Sequence, residues 1–186
     1  MKENPICLGI DDASFSLKGD SSRTYLIGAI CQGTRLVSVR KKTIDIDGDD
    51  ATEKVIEMIK SCDKHVQYVL TDTITFAGFN LIDLKRIHEE TLKPIIAITE
   101  RKINLEAVKE AIIKNFPKSY KKKLHYIVNA GLLYEMIINT AGGPAKIFFH
   151  HIGIEYDEIK ALLQKLCIDS KLPEPIRIAH LIGKMF

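Results

Sequence analysis

The spacing of apolar positions changes character near residue 50. Before it, ICLGID (6–11) is a short apolar run, TYLIGAIC (24–31) is apolar and rich in β-formers, and RLVSVRKKTIDI (35–46) alternates apolar with polar. These are the textures of three strands, the third with one face in solvent. Gln32, Gly33 and Thr34 separate the second and third runs, a hairpin link that predicts antiparallel pairing. After Asp50 the period becomes helical: Val55, Ile56, Ile59 and Cys62 share a face, and Asp50 with Glu53 three residues on reads as a helix start. VQYVLT (66–71) and PIIAIT (94–99) read as buried strands. A short helix over 81–91 lies between them, and a helix carrying Leu105, Val108, Ile112 and Phe116 follows.

Strands joined through helices make right-handed crossovers, so VQYVLT and PIIAIT are expected parallel to ICLGID. Three antiparallel strands followed by helix, strand, helix and strand give an α/β domain with a mixed five-stranded sheet, the layout of ribonuclease H-like domains. A hairpin of LYEMIINT (133–140) and AKIFFHH (145–151) follows. Two helices close the chain: one with Ile159, Leu162, Leu163 and Leu166 on a face, the other opening at LPEP, where Pro175 suits a first turn. With no linker, repeat or low-complexity stretch, residues 1–186 read as one domain, long enough to bury a substantial core.

Charge adds little: 27 Lys and Arg against 24 Asp and Glu give +3, so a polyanion partner would require that charge to be focused on one face. Cys7, Cys31, Cys62 and Cys167 form no CxxC pair, and no run is apolar for long enough to cross a bilayer. A soluble protein of a reducing cytoplasm, its thiols serving as small core residues, is the expectation.

The acids sharpen the picture. Asp11 ends the first strand, Asp50 opens the first helix, and Asp72 follows VQYVLT at the same sheet edge. Ligand sites of open α/β sheets lie outside the carboxyl ends of parallel strands. Three acids converging there call for a cation, and hard oxygen ligands suit Mg²⁺ or Mn²⁺ acting on a phosphodiester. Each acid alone reads equally as a cap or turn residue, and strand alternation assigns Asp12 to a turn on the face opposite Asp11.

Other groups are open to two readings. The loop TDTITFAGFN (71–80) offers phenylalanines to a base or plugs the core, and Lys118, Lys121, Lys122 and Lys123 contact phosphates or form a solvated turn. His150 and His151, adjacent on a strand, point to opposite faces. His180 sits one helical turn after Arg177, placed to fold back across the sheet edge.

LGID (8–11), the acid at 50, VLTD (69–72), PIIAI (94–98) and KLPEPIRIAH (171–180) resemble, in order, the motifs of endonuclease V. With GIDDASF, DGDDAT and ITFAGFN the whole chain is more similar still to an uncharacterised, largely archaeal family of endonuclease V-like proteins. The resemblance implies a ribonuclease H-like fold and metal-dependent cleavage of RNA or single-stranded DNA near inosine. It implies Asp11 and Asp72 as metal ligands, Asp50 as the middle acid with Asp49 and Glu53 as alternatives, and His180 orienting water or phosphate. It also departs from endonuclease V. The Pro-Tyr-Ile-Pro wedge is absent, Thr73 and ITFAGFN replace the glycine and His-Pro-Arg segment after the second aspartate, and Glu100 stands where a lysine is expected. The departures keep open a second reading: the same fold as a binding module for nucleic acid or a protein, without turnover.

Overall fold

The computed structural model describes residues 2–16, 21–62 and 65–186. Strand β1 (Ile6–Asp12) pairs antiparallel with β2 (Arg23–Gln32), and β2 with β3 (Arg35–Asp45). Gly33, at φ +59°, makes the turn between β2 and β3. Helix α1 (Ala51–Lys60) leads to β4 (Tyr68–Asp72), and a two-stranded ribbon, β5 (Thr75–Phe76) with β6 (Asn80–Leu81), leads to α2 (Leu84–Thr91). Then come β7 (Ile95–Thr99), α3 (Leu105–Asn115), α4 (Tyr120–Asn129), β8 (Tyr134–Thr140), β9 (Gly143–Ile152), α5 (Tyr156–Leu166) and α6 (Glu174–Gly183).

The main sheet runs β3-β2-β1-β4-β7-β9-β8, with β1, β4 and β7 parallel. The expected five strands are therefore present in the expected directions. The sheet is wider than expected because the hairpin is not an appendage: β9 pairs antiparallel with β7, Ala97 opposite His150.

Alternation divides the core in two. Leu8, Ile10, Val69, Ile95 and Ala97 face α1, α2, α3 and α4, whereas Cys7, Leu70, Ile96 and Ile98 face α5 and α6. The second face is closed by an unusually near approach. A Cβ on Gly9 would lie 2.2 Å from the backbone carbon of Pro175, and one on Gly183 2.6 Å from the Asp12 carbonyl oxygen. Two residues without side chains thus let α6 lie directly on β1.

Two local expectations change. Asp50 holds the N-cap position of α1 but makes no side-chain capping bond. The lysine-rich segment expected as a solvated turn begins as one at Lys118, then winds into α4, where Lys123 is only 1% exposed. Its ammonium donates to the carbonyls of Gly48 and Phe79, both at 2.7 Å, and pairs with Asp49 at 2.8 Å.

Candidate active site

In the β1–β4 ladder Ile10 stands opposite Thr71, so the next residues, Asp11 and Asp72, leave the sheet side by side at its carboxyl edge. Asp11 is 4% exposed. One of its oxygens accepts the Asp12 amide at 2.8 Å and the other meets His180 Nδ1 at 2.7 Å. Burial raises the pKa of Asp11, while the His180 bond, the Asp12 amide and the Lys184 charge pull it back. The α6 contact with Gly9 is what brings His180 here: the helix touches β1 near Pro175 and at Gly183, and His180 falls between.

Asp72 is half-buried and lacks a comparable donor: no hydrogen bond or ion pair from the described residues reaches its carboxylate. Burial, then the charges of Asp11, Asp12 and Glu100, push it up to about 7. Asp12 rises to about 6, mainly through burial, against the stabilising amide of Ala77, which donates to its Oδ2 at 2.5 Å. The loop carrying that amide is held in unusual backbone, Thr73 at φ +58° and Ala77 at φ +44°, the kind of strain that persists where surrounding structure enforces it.

The middle acid makes its described bonds elsewhere. Asp50 Oδ1 accepts from Asn80 Nδ2 at 2.6 Å and the Asp45 amide at 3.2 Å, tying the end of β3 to the start of β6. Its two alternatives are also engaged, Asp49 with Lys123 and Glu53 with Arg86, each at 2.8 Å. The structure therefore joins Asp11 to His180 and sets Asp72 within electrostatic reach of Asp11, while the described bonds of Asp50 go to Asn80 and Asp45. It adds Asp12 and Glu100, which strand alternation and the resemblance had not selected. The adjacency of Asp11 and Asp12 was the available signal for the first. What alternation missed is the return of the 73–79 loop over the strand end.

Among the described residues no three His, Cys, Asp or Glu side chains are already arranged around one metal position. The donor chemistry nevertheless fits Mg²⁺ or Mn²⁺. Such ions are commonly held through one or two carboxylates, the other positions going to water and phosphate oxygens, and Asp72 is a crowded carboxylate with no protein cation against it.

Comparison with known proteins agrees with this architecture. A family profile described as endonuclease dU matches residues 6–186. Curated relatives named UPF0215 protein include one from Thermococcus sibiricus, 35% identical over 180 residues and covering 95% of this chain and 89% of the relative. Another, from Pyrococcus horikoshii, is 34% identical over 178 residues with the same coverage. A crystal structure of a protein of unknown function from Archaeoglobus fulgidus superposes with a TM-score of 0.83 at 29% identity, covering 96% of each chain. Endonuclease V of Ciona intestinalis, solved with DNA containing an inosine, gives a TM-score of 0.61 at 12% identity, covering 95% of this chain and 83% of that one. At that identity the likeness is one of fold, and the fold is ribonuclease H-like.

Proposed function

We propose, because the chain belongs to the endonuclease dU family and gathers crowded carboxylates at the ends of its parallel strands, that it is a divalent-metal-dependent endonuclease. It cuts phosphodiester bonds in RNA or single-stranded DNA, beside a deaminated base such as inosine, in the cytoplasm. The observation that carries this reading is Asp72: crowded by Asp11, Asp12 and Glu100 at the strand ends and pushed up to about 7, it is a carboxyl without a protein counter-ion, whose anion a bound cation would stabilise. Asp11 and Asp72 would hold Mg²⁺ or Mn²⁺, with Asp12 beside them. When bound, the ion supplies a water of lowered pKa and neutralises charge on the leaving oxygen.

The chain's own groups do the rest. Asp11 fixes the orientation of the His180 ring through Nδ1, which leaves Nε2 on a half-exposed side chain to hold a water or a phosphate oxygen. Lys184 sits in the same shallow depression with Asp12 and His180, and its charge faces the acids. The buried face of α6 keeps Asp11 from rotating away, which is the positioning that in-line phosphoryl transfer depends on.

The test is incubation of the purified protein with Mn²⁺ and inosine-containing RNA or single-stranded DNA. Nicking is expected, abolished by a chelator and by Asp72→Asn in a folded variant. Nicking that survives Asp72→Asn would sink the assignment. The engagement of Asp49, Asp50 and Glu53 elsewhere favours one second reading, a binding module without turnover. Affinity for nucleic acid that is retained in chelator, with no cleavage at any Mn²⁺ concentration, would establish it.

A further inference from the structure

On the side of the acids away from β7, the end of β1, the start of β2 and the end of β3 border a groove of about 500 Å³. It begins beside the acids: Ser14 and Phe15 line both this groove and the depression that holds Asp12, His180 and Lys184. Three rings line it, Phe15 from the segment after β1, Tyr25 from β2 and Phe186 from the turn after α6.

The fold builds this arrangement. The Ser14 amide donates to the Gly183 carbonyl at 3.2 Å, so the chain leaving β1 is tied to the end of α6. Two further turn bonds, from the Met185 amide to Ile182 at 3.1 Å and from the Phe186 amide to Gly183 at 3.3 Å, carry the chain on to Tyr25. There the Tyr25 and Phe186 rings meet edge to face, their centres 5.3 Å apart. The β2–β3 ladder sets Ile27 opposite Lys41 and Tyr25 opposite Thr43, which makes Lys41 a diagonal neighbour of Tyr25. Its ammonium lies over both rings, 4.3 Å from the centre of Tyr25 and 4.5 Å from that of Phe186.

The unspent chemistry of this surface points to its ligand. Phe15 is 38% exposed and Phe186 56% exposed, although each ring would gain by leaving water. Among the described residues Lys41 makes no ion pair. Arg23, also in the lining, reaches Asp45 at 2.8 Å through a pair exposed to water, which holds it only weakly. Open rings beside cations match the two halves of a nucleotide, a flat base to stack and a phosphate to neutralise.

We propose that this groove is a separate nucleotide subsite: it holds one unpaired nucleotide of the strand flanking the cut, the base stacked on Phe15 and Phe186 and the phosphate against Lys41 and Arg23. The proposal rests on the nuclease reading for its ligand, a nucleic-acid strand, and adds a requirement to it. A base stacked on these rings has left its duplex neighbours, so the strand is open on this side of the acids. Every base has a face to stack, so the subsite reads strandedness and not base identity.

Binding of a short fluorescein-labelled oligo-dT in EDTA, where nothing is cut, tests this apart from catalysis. The comparison probes are an abasic strand of the same length and the oligo-dT paired with oligo-dA. Oligo-dT is expected to bind about tenfold tighter than either, the scale of stacking one base. Phe15→Ala and Phe186→Ala should each remove about tenfold of that affinity and leave the abasic strand unaffected. Lys41→Gln should weaken both single strands and reduce the slope of log affinity against log salt by about 0.7. All three side chains are exposed, and an unchanged melting temperature checks that the variants fold. Equal affinity for oligo-dT and the abasic strand, or affinity that survives Phe15→Ala and Phe186→Ala together, overturns the inference and leaves the nuclease reading to the Mn²⁺ cleavage assay. Failure of oligo-dT to bind overturns it too, and would leave the rings to a protein partner. Binding as expected without cleavage in Mn²⁺ keeps the subsite and sinks the nuclease reading.

Discussion

Asp72 shows how a single residue can be unfavourable for the protein and useful to the site. Its carboxyl is raised from 3.8 to about 7, so between those values the folded chain binds a proton that the unfolded chain has lost, and stability falls as pH rises through that window. Without metal, Asp72→Asn is expected to raise the melting temperature at pH 8 and to change it little at pH 4, read by thermal unfolding at the two pH values in EDTA. His180→Gln removes the imidazole from Asp11, and cleavage is expected to fall by about 10²- to 10⁴-fold, the usual range for a lost acid–base group, with the melting temperature nearly unchanged. The thiols lie at the other extreme. Cys7, Cys31 and Cys167 are pushed up to about 12, chiefly by burial. Alkylation of these three at pH 8 should therefore proceed only at the rate of unfolding, as followed by mass spectrometry against a denatured control.

At the scale of elements, the site depends on two contacts away from the acids. Gly9 lets α6 reach β1, and Gly9→Ala drives a methyl into the Pro175 backbone. A loss of about 1–3 kcal/mol or more is expected, with cleavage falling further than stability because His180 moves with its helix; urea unfolding beside a cleavage assay measures both. Lys123 binds the loop after β3 to the loop before β6 through Gly48, Phe79 and Asp49. Lys123→Met should cost about 1–3 kcal/mol, since the Gly48 and Phe79 carbonyls lose their donor. The parallel strands and Asp11 beside Asp72 could be read from apolar periodicity, because period and chain order determine them. The fates of Asp50 and Lys123 could not. Both are decided by Asn80 and by the Gly48 and Phe79 carbonyls, which approach only through tertiary folding, and a sequence pattern carries no record of such backbone partners. Asp12 escaped for a related reason: alternation holds within β1, but the Ala77 amide arrives from a loop whose left-handed residues, Thr73 and Ala77, are not glycine and gave no warning.

For the whole molecule, the seven-stranded sheet joins what the sequence presented as a five-stranded unit and a separate hairpin. The pairing of β9 with β7 places Ala97 opposite His150 and makes the hairpin part of the wall beyond the parallel strands. Mn²⁺ is expected to raise the melting temperature more at pH 8 than at pH 5.5, because it competes with protons for Asp72 and Asp12, and to lose that effect in Asp72→Asn; a thermal-shift titration checks it. The Asp11–His180 contact closes a separation of 169 residues. Contacts that distant form after local ones, when most of the chain is already in place. A chain still emerging from the ribosome, with β1 and β4 paired but α6 not yet made, would hold the acids without the imidazole. Under the proposed function the site would thus be completed last, and a partly made copy would meet nucleic acid without its imidazole.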